Sequence, residues 1–108
     1  MSSFMLISSR DPFECGDTEN FYRLAVDLKT GGSDVTLFLV QNGVLPARDG
    51  AENLALRQVV HSGVRVVADE FSLRERAVGG AELADGIAAV SLERVVDALA
   101  AGAKTIWH

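Results

Sequence analysis

The run Val35–Val40, broken by Gln41-Asn42-Gly43, constrains this chain more than any other stretch. Val35, Thr36, Leu37, Phe38, Leu39 and Val40 are apolar or β-branched without interruption. Such a run reads as a strand buried on both faces, the kind found in a parallel sheet covered by helices. The polar residues that follow then form the loop leaving the strand's C-terminal end. In open parallel sheets, ligands and chemistry collect at that edge.

The flanking sequence supports this strand. Phe4–Ser8 reads as a first strand, and Ser9–Gly16 as a loop holding Pro12, Cys15 and Gly16. Thr18 suits a helix N-cap, with Asp17 and Glu19 at the positive end of the dipole. Phe21, Leu24, Ala25 and Leu28 recur at helical spacing, and Gly31-Gly32 ends the helix. After a loop from Gln41 to Gly50, a second helix is predicted over Glu52–His61 and a third strand over Val64–Ala68. A short helix over Ser72–Arg76, a helical turn over Glu82–Asp85 and a weak strand at Ile87–Val90 follow. Leu92, Val95, Val96 and Leu99 predict one continuous buried face on a last helix, before a strand at Lys104–Trp107. The alternation predicts an α/β fold: one three-layer domain over 1–108, five mostly parallel strands, helices on both faces. A flavodoxin-like order would put the first and third strands side by side.

At 108 residues the chain suits one domain. Its net charge of -5 argues against a nucleic-acid surface. The apolar run at Phe4–Ile7 is too short for a signal peptide or a membrane span. A single cysteine rules out an internal disulfide and fits a reducing cytoplasm. Two histidines and one cysteine, widely separated, give no zinc pattern, and no cofactor is implied.

Two stretches resemble the DsrE/DsrF/DsrH family, which includes the TusB, TusC and TusD sulfur-relay proteins. Leu37-Phe38-Leu39-Val40-Gln41-Asn42-Gly43-Val44 is similar to the family's strand ending in Asp or Asn, then Gly-Val. Gly63–Val78 resembles its third strand, turn and short helix ending in a basic residue. The middle segment and Trp107 are similar to the DsrH branch, and Ser8–Leu28 to the DsrE branch. The resemblance implies a small cytoplasmic sulfur-relay protein, assembly with like or related subunits, and a sulfur-carrier protein as partner. In sulfur-transferring members a cysteine just after the third strand carries a persulfide. Here the matching position is Asp69, or Ala68 if the register slips by one, and neither can hold sulfur. Any enzymatic role is therefore sulfurtransferase-like at most.

Cys15 is the one remaining nucleophile of the relevant chemistry. With the first and third strands adjacent, it would share a crevice with Asp69. The following helix N-terminus favours its thiolate, whereas Asp11, Glu14, Asp17 and Glu19 oppose it. The plain alternative is an inert loop cysteine. Asp69 is either a site carboxylate or the N-cap of the short helix, beside Glu70. Gln41 and Asn42 can hydrogen-bond at the crevice floor or simply form the Asn42-Gly43 turn. Arg48 is an anion-binding candidate or a solvated loop arginine. An acidic crevice of Asp11, Glu14, Asp17 and Asp69 could take magnesium, though no metal-loop spacing is present. His61 falls at the opposite edge, and His108 is expected to be mobile. Trp107 on an edge strand suits a subunit interface, or packing on its own last helix. The sequence thus leaves two readings, a sulfur-relay protein using Cys15 and a non-catalytic binding or structural subunit.

Overall fold

The computed structural model describes residues 2–51 and 53–108. Strand β1 (Ser3–Ser8) leads through a loop to helix α1 (Asp17–Thr30), then β2 (Asp34–Leu39). A tight helical segment, Gln41–Ala47, replaces the open loop expected there. Helix α2 (Leu54–His61), strand β3 (Arg65–Asp69) and helix α3 (Glu70–Glu75) follow, then β4 (Ile87–Val90), α4 (Glu93–Ala100) and β5 (Lys104–Trp107). The start expected for α2, Glu52, lies outside the described residues. Asn53 caps that helix through Leu56 N, at 2.9 Å. Thr18 lies inside α1 rather than capping it, since the helix begins one residue earlier at Asp17.

All neighbouring strands are parallel, in the order β4-β3-β2-β1-β5. The three-layer α/β expectation holds, but the flavodoxin-like order does not: β2, not β1, lies beside β3. Successive βα units each step one strand in the same direction, and only the last crossover returns, setting β5 against β1. Periodicity specifies each strand and helix without specifying which neighbour a strand takes.

Strand β2 is the centre that its sequence predicts. Its Leu37 and Leu39 face one layer, packed with Phe21, Tyr22 and Ala25 of α1 and Leu56 and Val59 of α2. Phe38 faces the other layer with Met5, Ile7, Val67, Val90 and Val95. Phe38 is fully buried, as are Leu37 and Leu39. The second layer is thin because α4 alone covers it. Of its expected apolar face only Val95 is buried, while Leu92, Val96 and Leu99 remain exposed. Among the described residues, no helix is long and apolar enough to cross a membrane.

Candidate functional site

The C-terminal ends of β1, β2 and β3 form one continuous edge, and side chains tie their exit loops together. At β3, Asp69 ends the strand and caps α3: its Oδ2 accepts from Ser72 N at 3.0 Å and from Ser72 Oγ at 2.7 Å. Ser72 Oγ in turn accepts from Gln41 N at 2.8 Å, joining β3's exit to that of β2. Next along, Arg76 Nε donates to Asn42 Oδ1 at 3.0 Å, and Asn42 Nδ2 donates to Glu14 Oε1 at 3.1 Å. Asn42 therefore bridges the β3 side to the loop after β1.

This geometry changes the form of the shared-crevice argument. Adjacency of β1 and β3 is absent, so it cannot bring Cys15 toward Asp69. The strand between them supplies the link instead. Asp69 itself is buried, and its carboxylate is engaged as a helix cap. That local role is the alternative the sequence already offered. The tie also leaves Asp69 out of any acidic crevice. Among the described residues, no group of three or more His, Cys, Asp or Glu side chains is placed to hold a metal ion.

Cys15 sits in the turn entering α1, half-buried. It lines a cavity of about 290 Å³ with Ser9, Arg10, Glu14 and Asn42. Its thiol is held below the usual range, first by the Asp17 backbone N–H; desolvation opposes this as the next largest effect, and the Thr18 hydroxyl and Arg10 add smaller lowering contributions. Glu14, one of the acids expected to oppose the thiolate, stays in the lining of this cavity, where its Oε1 accepts from Asn42 Nδ2. Asp11 is likewise occupied with Phe13 N, at 3.2 Å. A 14-residue helix behind the thiol adds its positive end.

A lowered thiol pKa fixes the sign of a pH effect. The thiolate is the reactive form, so alkylation by iodoacetamide should reach half its maximal rate at a pH below 9.0, the value of an unperturbed thiol. Thr18→Val, which removes one stabilising hydroxyl, should move that midpoint upward. An unshifted midpoint in the parent protein would contradict this account of the thiol.

Two residues of this edge escape a reading of the sequence. Thr18 is fully buried, and its Oγ1 lies 3.3 Å from His108 Nε2. His108 is held in place rather than mobile: its N donates to Ile7 O at 2.9 Å, and its carbonyl accepts from Ser9 N and Ser9 Oγ. Its ring also lies 5.2 Å from that of Phe21. A last residue carries no local signal of such anchoring, which depends on β5 pairing with β1. Arg76 was visible only as a basic residue ending the short helix. Arg48 stands apart from Cys15: its Nε donates to Leu45 O, and it lines a separate cavity of about 260 Å³ with Arg57, His61 and Asp85.

Comparison with solved structures bears on this architecture. The structure of the ychN protein from E. coli superposes with a TM-score of 0.86 over 100% of both chains, at 20% identity. The chain has a DsrE-like fold. A protein of unknown function, MTH1491 from Methanobacterium thermoautotrophicum, gives a TM-score of 0.78 at 22% identity, covering 99% of this chain and 98% of that one. At these identities the likeness is one of fold. No protein-family model and no curated protein sequence matches the chain.

Proposed function

We propose that this chain carries sulfane sulfur on Cys15, as a DsrE-like sulfur-relay protein. The observation behind this reading is the environment of the thiol: favoured as thiolate, open to a polar cavity, and at the strand-exit edge where chemistry collects in parallel sheets. In the loading step, the Cys15 thiolate attacks the outer sulfur of a persulfide or polysulfide donor. A new S–S bond forms on Cys15, the donor's S–S bond breaks, and the donor leaves as a thiolate or shortened polysulfide. An acceptor thiolate, on a sulfur-carrier protein, then attacks the outer sulfur and returns Cys15 as a thiolate. Neither step needs an external oxidant. Arg10 and Asn42, beside Cys15 in the cavity, suit the anionic donor and the persulfide. Cyanide added to polysulfide-treated protein freed of unbound polysulfide should release thiocyanate, one for each sulfane sulfur carried on the single cysteine. Cys15→Ser should release none, and equal release from both proteins would overturn the reading.

A second reading rests on Asp69. The position that resembles the family's persulfide cysteine holds a buried carboxylate whose Oδ2 serves as a helix cap. A chain built this way suits a non-catalytic binding or structural subunit in an assembly with related chains. A sulfur-free Cys15 together with stable association would favour that reading over the first.

A further inference from the structure

Strands β1 and β5 finish side by side, next to the Cys15 turn. Parallel pairing sets Trp107, itself largely exposed, opposite Ile7, so the next residue, His108, lies beside the exit of β1. Backbone bonds to Ile7 and Ser9 hold His108 there, and its ring packs on Phe21 of α1. Its Nε2 is thereby set 3.3 Å from Thr18 Oγ1. Thr18 is tied in turn to Cys15: its backbone N–H donates to Cys15 O at 3.2 Å, in the turn that opens α1. Residues three apart in a helical turn are side-chain neighbours, and the Thr18 hydroxyl hydrogen-bonds the Cys15 sulfur. Thr18 is fully buried, so bulk water does not compete for its hydroxyl.

We propose that Thr18 and His108 are positioning residues for Cys15, drawing its proton along a path from Sγ through Thr18 Oγ1 to His108 Nε2. A hydroxyl both donates and accepts, and a neutral imidazole accepts at one ring nitrogen. Ionisation then moves two protons in step. The S–H bond breaks as its proton joins Thr18 Oγ1, and the proton that Thr18 held passes to Nε2. Thr18 ends as a hydroxyl again, now donating to the thiolate, and His108 carries the positive charge. A thiolate and an imidazolium on either side of one buried hydroxyl stabilise each other. The charged groups near this path are Arg10, Asp11 and Glu14 on the loop and Asp17 and Glu19 on α1. Arg10 and Glu14 share the cavity with the thiol, beside the neutral amide of Asn42. The imidazole itself meets uncharged side chains, Thr18 and Phe21, and Lys104 of β5 lies at the far end of that strand, over Phe4. The inference deepens the sulfur-carrying reading and rests on it for its use. Its readout is the ionisation of the thiol rather than sulfur uptake, so either can fail alone.

Alkylation of Cys15 by iodoacetamide would be followed against pH in the full chain and in variants whose fold is checked by circular dichroism. His108→Phe keeps a ring on Phe21 and the backbone bonds but has no ring nitrogen. It should raise the midpoint by about half a pH unit, roughly a threefold slower reaction at neutral pH. His108→Gln can still hydrogen-bond Thr18 but takes no proton, and should raise the midpoint equally. Rescue by Gln would make His108 a structural tether and overturn the proposal. Thr18→Ser, which keeps the hydroxyl, should react like the parent. In a Thr18→Val background, His108→Phe should add no further shift, because the path is already cut. A parent-like midpoint in His108→Phe, or shifts that simply add in the double variant, would overturn the proposal as well.

Discussion

Gly43→Ala is expected to lower the midpoint of thermal unfolding by roughly 15 °C. A Cβ at Gly43 would be driven into the carbonyl of Ser8, at 2.9 Å from its carbon, with the Ser9 carbonyl carbon also close at 3.4 Å. Both obstacles are backbone, and neither can swing aside as a side chain would. The Ser8 carbonyl is also committed, since it accepts from Val40 N at 2.9 Å as the β1–β2 pairing ends. Gly43 N in turn donates to Val40 O at 2.8 Å, fixing the turn against the strand it leaves. Relief therefore requires moving β1 away from β2 at the centre of the sheet. Overpacking of this kind costs about 3 kcal/mol, and each kcal/mol is worth roughly 4–8 °C in a domain of this size. Gly50 supplies the control, because a Cβ there meets nothing within 4 Å. Gly50→Ala should change stability by no more than about 0.5 kcal/mol. Equal midpoints for the two variants in calorimetry would show that the close approach is not what holds Gly43.

Asp69→Ala is expected to cost about 2–3 kcal/mol in chemical denaturation. The substitution removes a helix cap worth about 1 kcal/mol, and up to about 2. It also strips the acceptor from a buried Ser72 hydroxyl, which itself accepts from Gln41 N. Gln41 adds to the sensitivity, because its φ of 52° is left-handed for a residue with a side chain. That conformation is maintained by the contacts around it, including the bond to Ser72. Asp69→Asn keeps a side-chain oxygen in place and should lose much less. A loss from Asp69→Ala no larger than that of an exposed substitution would contradict the capping role.

Much of the fold could be read from the chain because its signals are local. The apolar run before Gln41 specified a strand buried on both faces, and β2 is one, with Leu37, Phe38 and Leu39 fully buried. The alternative offered for Asp69, a helix cap, needed only its position between a strand and a short helix. Strand order was not legible, because whether β1 or β2 lies beside β3 depends on long-range pairing that no local pattern records. The same limit hid Asn42's partners: hydrogen bonding at this edge was one of its two readings, but a turn dipeptide looks alike whether or not its amide reaches Glu14 on one side and Arg76 on the other. Even the glycine of that dipeptide is required for a different reason than turn formation, namely the Ser8 backbone beside it. The outer face of α4 shows the converse. Its helical spacing predicted a buried stripe, but one layer of sheet buries only the side with Val95, leaving Leu92, Val96 and Leu99 exposed.

The sulfur-carrying role of Cys15 is tested most directly by intact mass spectrometry after incubation with polysulfide, with Cys15→Ser alongside. The account predicts a gain of one or more sulfur atoms on the parent protein, removed by reductant and absent from the variant. A parent protein that gains no sulfur, while its thiol still reacts with iodoacetamide, would contradict it.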